Sequence, residues 1–510
     1  MKNLKYYLFL FLGVALVGCS DLEEQPVGLL APDGFFQTPT DIQTAVDGAF
    51  THAINEKFWG RKLSIALMLR SDMVNLQSDQ TRRVEMNELT TLASNGMLTE
   101  YWLKAYQGIA AANQAIAGAE NVEAPDEQKN PVTAQAHFIR AFYYFHLVRQ
   151  FGGVPYIDAP ITDAAAAGVI SRTPAADVYA NIIADLEYAK QWLPNTQSSR
   201  AIPAKSAASG YLALVHLTRG DYQKAFTEAE DVINNAGTYD LALDDNFQNL
   251  FNANVIDGSK EPIFALDYNN VEAPNNAYDQ IAPMTGIRGD DRNSGGGWSV
   301  AVPTFAVYDT WDAGDYRRTV SFDEEASIDG NVEPFTNFTI SGHVHAANRP
   351  YIAKYTRFPG AFARGNARAT SHNMSMLRYA EVLLIAAEAA VETGNNAKAV
   401  EYINQVRARA RMGGSTVSGA GNPIDFAPSD VPADISGTVT ANDVLEERRL
   451  ELAFEGKRWY DIARRKIGAE VYGPNGLEGA KPAFTADDYL LPLPGDELDR
   501  NPNLTQNPGY

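Results

Sequence analysis

NDVLEERRLELAFEGKRWYDIARRK, residues 442–466, has the apolar pattern of a long helix with one buried side. Its apolar residues recur mainly at intervals of four and seven, which aligns them along one side of a 3.6-residue helix. They are Leu445, Leu452, Trp459 and Ala463, with Leu450 and Phe454 beside them. We therefore predict one helix over the whole stretch, packed by this apolar side against the rest of the chain.

The other sides of the predicted helix carry charges of both signs. Opposite charges at the three- or four-residue spacing where helical side chains meet are Arg448–Glu451, Arg458–Asp461 and Asp461–Arg465. Gly456 would weaken a helix by roughly 1 kcal/mol, so we expect it to mark the close approach of another backbone. We interpret the helix as structural. The alternative is a catalytic role for one of its glutamates, and the candidates are Glu446, Glu447 and Glu455.

Composition and charge limit the function classes. The 510 residues are 45% hydrophobic and 21% charged, which is ordinary for a folded globular protein of one to three domains. Asp and Glu number 63 against 42 Lys and Arg, for a net charge of −21. This charge opposes nucleic acid and anionic membrane surfaces as partners and favours a small neutral ligand.

The first residues have the features of a targeting segment. Lys2 and Lys5 precede the apolar run 6–17, which is about half the ~20 residues that a membrane span needs. Residues 16–19, at the end of this run and just after it, are Leu-Val-Gly-Cys, which resembles a bacterial lipobox. Cys19 is the only cysteine in the sequence. We predict that residues 1–18 are a lipoprotein signal peptide, that Cys19 is lipidated, and that this lipid is the only attachment to a membrane.

Two helical regions, about 40–235 and 375–466, flank a different central region. Helices are predicted at 41–54, 101–119, 133–151, 175–193 and 204–219, with breaks at prolines that include Pro125 and Pro131. The stretches 204–237 and 377–410 share glycine, alanine and valine at equal spacing, and the matching residues are Gly220, Ala225 and Val232, and Gly394, Ala399 and Val406. We interpret them as tetratricopeptide-like helix pairs. Two unrelated helical hairpins are the alternative.

The central region, about 239–372, loses the helical period. It is rich in Asn, Asp, Gly, Pro and aromatic residues, with short β-like runs at 262–266 and 351–355. A long irregular region inside a compact protein is usually functional. We therefore predict a mainly α fold in which residues 19–510 form one domain, a helix-pair scaffold with a large irregular and short-β insertion.

No strong catalytic or metal-binding motif is present in the sequence. His343 and His345 would make half of a metal site, but nothing nearby completes it, and we interpret them as a surface strand. Asp290 and Asp291 would serve glycoside hydrolysis only if two carboxyls lay about 5 to 9.5 Å apart. The sequence indicates no metal and no cofactor; a structural calcium ion in the irregular region is left open.

The best candidate for ligand contact is GIRGDDRNSGGGW, residues 286–298. Three glycines before Trp298 predict a flexible loop that presents a large aromatic ring. A sugar packs its apolar C–H face on such a ring, while polar side chains bind the hydroxyls at its rim. The candidate rim residues are Arg288, Asp290, Arg292 and Asn293. The alternative is that Trp298 anchors the loop in the core.

Two C-terminal segments resemble the SusD/RagB family of outer-membrane nutrient-binding lipoproteins. They are EERRLELAFEGKRWYDIARR, residues 446–465, and LLPLPGDELDRNPNLTQNPGY, residues 490–510. In that family the ligand site generally combines the irregular region with a loop after an early Ser-Asp motif, here Ser71-Asp72. The resemblance therefore implies that Asn75 and Arg82, in the polar segment after this motif, also line the site.

The resemblance implies a function without a catalytic step. A SusD-like lipoprotein on the exterior of the outer membrane would capture an oligosaccharide or polysaccharide and pass it to a SusC-like TonB-dependent transporter. The acidic charge favours a neutral glycan, such as a laminarin-like β-glucan. Two alternatives are a tetratricopeptide-type adaptor that binds peptide or protein on the repeat face, and a glycoside hydrolase with a carboxylate pair in a cleft.

Overall fold

The computed structural model describes residues 32–77, 80–272, 276–338, 349–477, 481 and 483–510. The chain is mainly α, as predicted. Its α-helices are α1 (Pro32–Phe35), α2 (Pro39–Ala53), α3 (Lys62–Leu69), α4 (Thr81–Glu88), α5 (Gly96–Glu120), α6 (Asp126–Phe151), α7 (Ala164–Ala167), α8 (Ala175–Trp192), α9 (Lys205–Arg219), α10 (Tyr222–Asn234), α11 (Ile281–Thr285), α12 (Phe305–Asp309), α13 (Tyr316–Ser321), α14 (Tyr379–Glu392), α15 (Asn396–Ala410), α16 (Ala441–Glu451), α17 (Arg458–Arg465), α18 (Gly468–Val471) and α19 (Gly495–Arg500). The predictions for Cys19, His343 and His345 fall outside the described residues.

Strands and 3-10 helices are short. The strands are β1 (Val74–Leu76), β2 (Pro262–Leu266), β3 (Ala301–Pro303), β4 (Phe322–Asp323), β5 (Glu325–Ile328), β6 (Asn331–Pro334), β7 (Tyr351–Ile352), β8 (Phe362–Arg364), β9 (Arg368–Thr370), β10 (Met374–Arg378), β11 (Gly414–Val417) and β12 (Pro423–Phe426). They form two-stranded antiparallel sheets, paired as β1–β3, β2–β10, β4–β7, β5–β6, β8–β9 and β11–β12. The 3-10 helices are Phe247–Phe251, Ile256–Gly258, Arg292–Ser294, Phe335–Asn337 and Ala486–Tyr489.

The two predicted repeats form equivalent helix pairs. In each pair, α9–α10 and α14–α15, the helices pack against each other, and α10 also packs against α14, so that the second pair stacks on the first. The small residues at matching positions are fully buried between the helices, and they are Ala225, Val232, Ala399 and Val406. Small side chains let the two helices of a pair approach closely. The predicted helix-pair scaffold is confirmed.

One predicted helix break is wrong. Pro131 lies inside α6, which begins five residues earlier at Asp126. Proline has no backbone N–H to donate to the carbonyl of residue 127, four positions before it. Glu127 is exposed, so its carbonyl does not depend on a protein donor, and the helix continues through Pro131.

The irregular region leaves the helical body and returns to it through one strand pair. Strands β2 and β10 pair antiparallel at its two ends, and β10 runs directly into α14. Phe264 of β2 packs edge-on against Phe138 and Phe142 of α6, with ring centroids 4.9 and 5.8 Å apart. The predicted strand at 262–266 is confirmed as β2. The strand predicted at 351–355 is shorter in the structure, where only β7 forms. Beyond β7, the Lys354 ammonium points inward and pairs with Glu455 at 2.8 Å.

The prediction of one helix over 442–466 is wrong. Helix α16 ends at Glu451 and α17 begins at Arg458, and both Phe454 (φ 66°) and Gly456 (φ 73°) in the connection are left-handed. A left-handed residue cannot continue a right-handed helix. The Phe454 carbonyl accepts a hydrogen bond from the Tyr355 hydroxyl at 3.0 Å, which holds the turn against the irregular region. Gly456 faces the side chain of Trp59 and not another backbone, so that expectation is also wrong.

Many charges of this C-terminal stretch pair with distant elements. The three predicted local pairs are wrong, and the local pairs that form are Glu446–Arg449 and Asp461–Arg464. The buried Glu451 carboxylate contacts the guanidinium groups of Arg317, Arg378 and Arg409, which lie on α13, β10 and α15. Burial alone would raise the pKa of Glu451, but the three positive charges outweigh burial and hold it far below its usual range. Contacts with other elements are Arg448–Glu381, Arg458–Asp72 and Arg465–Glu392.

All three glutamates for which chemistry was the alternative also form ion pairs. Their partners are Arg449 for Glu446, Arg317 and Arg407 for Glu447, and Lys354 and Arg378 for Glu455. Glu447 and Glu455 are buried, whereas the Glu446 side chain is half exposed. These contacts agree with a structural role for the stretch.

We predict that Glu451→Gln lowers the free energy of unfolding by about 3–5 kcal/mol, because it leaves three guanidinium groups short of a buried counter-charge. Urea unfolding at pH 7 measures the change. The matched control is Glu401→Gln, in an exposed pair with Lys398 on α15, where we expect a loss of at most about 1 kcal/mol. Equal losses in the two variants would contradict the importance of the Glu451 contacts.

We also predict an acid-dependent contribution from Asp461. Burial would raise its pKa, but Arg448 and Arg464 lower it to about 2. A depressed pKa gives stability that is present above the unfolded value, near 4, and is lost as the pH falls through about 2, roughly 2.5 kcal/mol in all. Urea unfolding between pH 5 and pH 2 should therefore show the gap between wild type and Asp461→Asn narrowing with acid. An exposed control, Asp499→Asn, should follow wild type, and a constant gap for Asp461→Asn would refute the prediction.

Candidate functional site

The structure brings the segment after Ser71-Asp72 together with the tryptophan loop. Strand β1 pairs with β3, which places Asn75 opposite Val302. Beyond the strand, the Gln77 amide donates to the Val300 carbonyl at 2.7 Å, two residues after Trp298. We call the surface formed by residues 75–77, 80–83 and 286–305 the seam. It joins two segments that are more than 200 residues apart in the sequence.

Pro283 and Met284, at the end of α11, tie both sides of the seam together. The amide of Trp298 donates to the Pro283 carbonyl at 2.6 Å, and that of Val300 donates to the Met284 carbonyl at 3.0 Å. From the other side, the Arg83 guanidinium reaches the Met284 sulfur at 3.7 Å. Trp298 is half-buried, packed on one side against the main core. Its ring therefore has a fixed position at the seam and keeps an accessible part.

The glycine-rich loop is held in place, so the prediction of a flexible loop is wrong. The Asn366 side-chain amide donates to the carbonyls of Gly295 and Gly296, both at 2.8 Å. At Gly297 a Cβ atom would lie 2.1 Å from the Gly286 carbonyl, far inside van der Waals contact. The glycines are needed for close backbone packing. Three consecutive glycines in a sequence do not by themselves show whether they serve close packing or flexibility.

Asp290 and Arg292 lie beneath the loop in a buried chain of ion pairs. Arg292 Nε is 2.7 Å from Asp290 Oδ2, and its Nη2 is 2.9 Å from Asp323 Oδ2, while Arg357 pairs with the other oxygen of Asp323 at 2.8 Å. Burial raises the pKa of Asp290 in spite of Arg292. Burial would lower the pKa of Arg292, but Asp323 and Asp290 outweigh this and raise it. These pairs occupy Nε and Nη2 of Arg292 and hold the segment beneath the loop in place.

Asn293 is also engaged in holding the loop. Its side-chain amide donates to the Thr356 carbonyl at 3.1 Å, and its own carbonyl accepts from the Asn366 amide at 2.8 Å. Its backbone is left-handed, with φ 57°. Ligand contact by Asp290, Arg292 and Asn293 stays a prediction, and their contacts indicate that they shape the loop.

The other three candidates lie on the seam and are half-buried. The Arg288 amide donates to Ser299 Oγ at 2.8 Å, which fixes this residue beside Trp298. Asn75 Oδ1 accepts from the amide of Leu76 at 2.7 Å. The Arg82 carbonyl accepts from the Asn95 side chain at 2.9 Å. Arg288 and Trp298 thus lie on one of the two segments that the β1–β3 pairing brings together, and Asn75 lies on the other. Arg82 directly precedes Arg83, whose guanidinium reaches Met284. Ligand contact by these residues stays a prediction.

Phe305 is an aromatic residue of the seam that the sequence analysis missed. Its side chain is 43% exposed at the first position of α12, and the Arg349 guanidinium lies 4.5 Å from its ring centroid. The preceding residue, Thr304, donates its amide to the Met73 carbonyl at 3.0 Å, which places Phe305 beside β1. The sequence signal for an exposed Phe305 was its place directly after Thr304, a residue type that often caps helices, because the first position of a helix often faces solvent.

Among the described residues, no helix combines the length and apolarity needed to cross a membrane. The same residues contain no group of three or more His, Cys, Asp or Glu side chains arranged to hold a metal ion.

The sequence and the fold both match known proteins. A family model described as "SusD family" matches residues 341–510, and one described as "Starch-binding associating with outer membrane" matches residues 33–217. "SusD-like protein P2" of Formosa agariphila is 51% identical, over 100% of both chains. The chain belongs to the SusD family.

Two solved structures show that this SusD-family protein has the fold of its relatives. A SusD homolog from Bacteroides thetaiotaomicron superposes with a TM-score of 0.79 at 20% identity, covering 94% of this chain and 98% of that one. A structure described as a laminarin binding SusD-like protein gives a TM-score of 0.77 at 23% identity, covering 93% and 100%. At these identities the likeness concerns the fold alone.

We predict that Gly297→Ala destabilises the protein by about 1–3 kcal/mol, the usual cost of forcing a methyl group into a closely packed place. Thermal and urea unfolding measure this cost. Gly48→Ala is the matched control, because the Gly48 site on α2 has no atom within 4 Å of an added Cβ; it should be neutral or stabilising by up to ~1 kcal/mol. A Gly297→Ala protein as stable as Gly48→Ala would show that the loop is not closely packed.

Proposed function

We propose that this SusD-family protein is a cell-surface lipoprotein that captures a glycan at the seam and passes it to a SusC-like TonB-dependent transporter. The observation that supports the proposal best is the convergence of Trp298 and the polar segment around Asn75 on one surface. An aromatic face beside amide and guanidinium groups suits a sugar, whose ring is apolar on its face and polar at its rim.

A neutral glycan agrees better with the charges than an acidic one. The whole chain carries a net charge of −21. Of the arginines at the seam, Arg292 is already paired with Asp290 and Asp323, and Arg83 is buried against Met284. We therefore propose a neutral β-glucan of the laminarin type. A protein of the same fold is described as a laminarin binding SusD-like protein, and we propose the same class of ligand for this chain.

We propose binding without catalysis. The one carboxylate pair suggested for hydrolysis is engaged in structural contacts: buried Asp290 pairs with Arg292, and exposed Asp291 accepts hydrogen bonds from Ser327 Oγ at 2.7 Å and the Gly330 amide at 2.9 Å. An acid and base that act on a glycosidic bond need to reach it from both sides. The two aspartates instead brace the loop.

The proposed location is the outer face of the outer membrane, with Cys19 as the lipidated residue. The family model that matches residues 33–217 is described as associating with the outer membrane, which supports this location. Acyl chains contribute about 0.8 kcal/mol per buried CH₂, so a lipidated N-terminus anchors an otherwise water-exposed protein firmly.

The test is affinity electrophoresis and calorimetry of the chain lacking residues 1–19 against a panel of polysaccharides that includes laminarin. We expect binding to a neutral β-glucan, and an affinity at least about tenfold lower in Trp298→Ala, which corresponds to ~1.4 kcal/mol. The matched control is Trp192→Ala, because Trp192 is also half-buried but lies on α8 of the helical body.

Four outcomes would count against the proposal. Undiminished binding by Trp298→Ala would place the glycan elsewhere. Equal losses in Trp298→Ala and Trp192→Ala would indicate general destabilisation. A folded protein that binds no glycan of the panel would favour peptide capture on the helix pairs, and release of reducing ends would favour hydrolysis.

A further inference from the structure

A second cleft lies on the helical body, where the connection between α8 and α9 meets the start of the irregular region. One lobe, of about 170 Å³, is lined by Ser199, Arg200, Asp257 and Asn373. The adjoining lobe, of about 250 Å³, is lined by Phe50 and other residues of α2 and α6. Both lobes share Ala265 and Asp267. We call the two lobes together the side cleft; none of its lining residues belongs to the seam.

Asp267 lines both lobes, and only one of its two carboxylate oxygens has a hydrogen-bond partner among the described residues. Its Oδ2 accepts from Ser199 Oγ at 3.1 Å. Its Oδ1 is buried and accepts no hydrogen bond from the residues that the structure describes. A buried polar oxygen without a donor is costly, and such groups in folded proteins generally have a partner. Because Asp267 lines both lobes, a hydroxyl group bound in either lobe lies beside this carboxylate.

The other polar groups of the side cleft favour a ligand that donates hydrogen bonds. Asp47 and Asp257 add two more carboxylates to its lining. Its cation, Arg200, already donates to the Asp240 carbonyl at 2.8 Å, and the Asn373 amide donates to Asp257. This arrangement disfavours an anion and suits hydroxyl groups.

The remaining wall of the side cleft is apolar. Phe50 is half-buried, and its ring packs at an angle of 64° to that of Phe264 with centroids 6.3 Å apart. Ile54 and Ile202 line the same lobe. The cleft therefore combines aromatic and aliphatic side chains with carboxylate acceptors. This combination matches a sugar ring, which is apolar on its face and carries hydroxyl groups at its rim.

We propose that the side cleft is a second glycan subsite, which binds a neutral sugar through adjacent hydroxyls on Asp267 and through packing on Phe50. The inference rests on the proposed function, since it assigns the same class of ligand to a separate place. Two sites on one protein would hold one polysaccharide chain more tightly than either site alone, wherever the chain reaches both.

The test uses the chain lacking residues 1–19, a short β-1,3-glucan oligosaccharide as the probe, and titration calorimetry. We expect two equivalents bound by wild type, and one each by Trp298→Ala and Asp267→Ala. The double variant should bind none. Asp267→Asn keeps an acceptor oxygen at the same place, so it should retain the second site within about threefold, which a loss of fold would not allow. Ala201→Ser, on the rim of the same cleft, is the control for local disturbance and should bind like wild type.

The two proposals fail in different ways. One equivalent in wild type, lost in Trp298→Ala and unchanged in Asp267→Ala, would overturn the second subsite and leave glycan capture at the seam intact. One equivalent lost in Asp267→Ala but retained in Trp298→Ala would assign glycan capture to the side cleft instead. No binding by a folded wild-type protein to this probe or to the polysaccharide panel would overturn both.

Discussion

The contact between one carboxylate, Glu451, and three guanidinium groups determines how the parts of this protein fit together. Arg317 comes from the irregular region, Arg378 from the strand that leads back to the helical body, and Arg409 from the second helix pair. All four side chains are buried. Because an unpaired charge is so costly in the interior, the packing in which all four meet is favoured over neighbouring arrangements that would leave one of them alone.

The same C-terminal stretch positions the candidate site. Arg458, at the start of α17, holds both oxygens of Asp72 at 2.8 Å. Asp72 stands two residues before β1, and β1 forms one side of the seam through its pairing with β3. The turn at Phe454 meanwhile accepts the Tyr355 hydroxyl from the irregular region. The stretch thus holds the segment that leads into β1, and it also contacts the irregular region that contains the other side of the seam.

Local patterns predicted the helix pairs well, because small residues at repeated spacing act between neighbours in sequence. They failed where distant contacts prevail. Glu451, the last residue before the break, pairs with arginines up to 134 residues away, and the helical period of the sequence carries no information about such partners. The glycine-rich loop was predicted to be flexible because the sequence near the loop does not indicate that Asn366, about 70 residues later, donates a hydrogen bond to it. The family resemblance predicted that the segment of Asn75 and the loop of Trp298 lie close together. No local pattern in either segment indicates this proximity.

The most direct test of glycan capture at the seam is a crystal structure of the protein with a β-glucan oligosaccharide bound. We expect a sugar ring on the indole of Trp298, with hydroxyl groups within hydrogen-bond distance of the segment around Asn75. Sugar bound only on the exposed face of the helix pairs, with the seam empty, would contradict it.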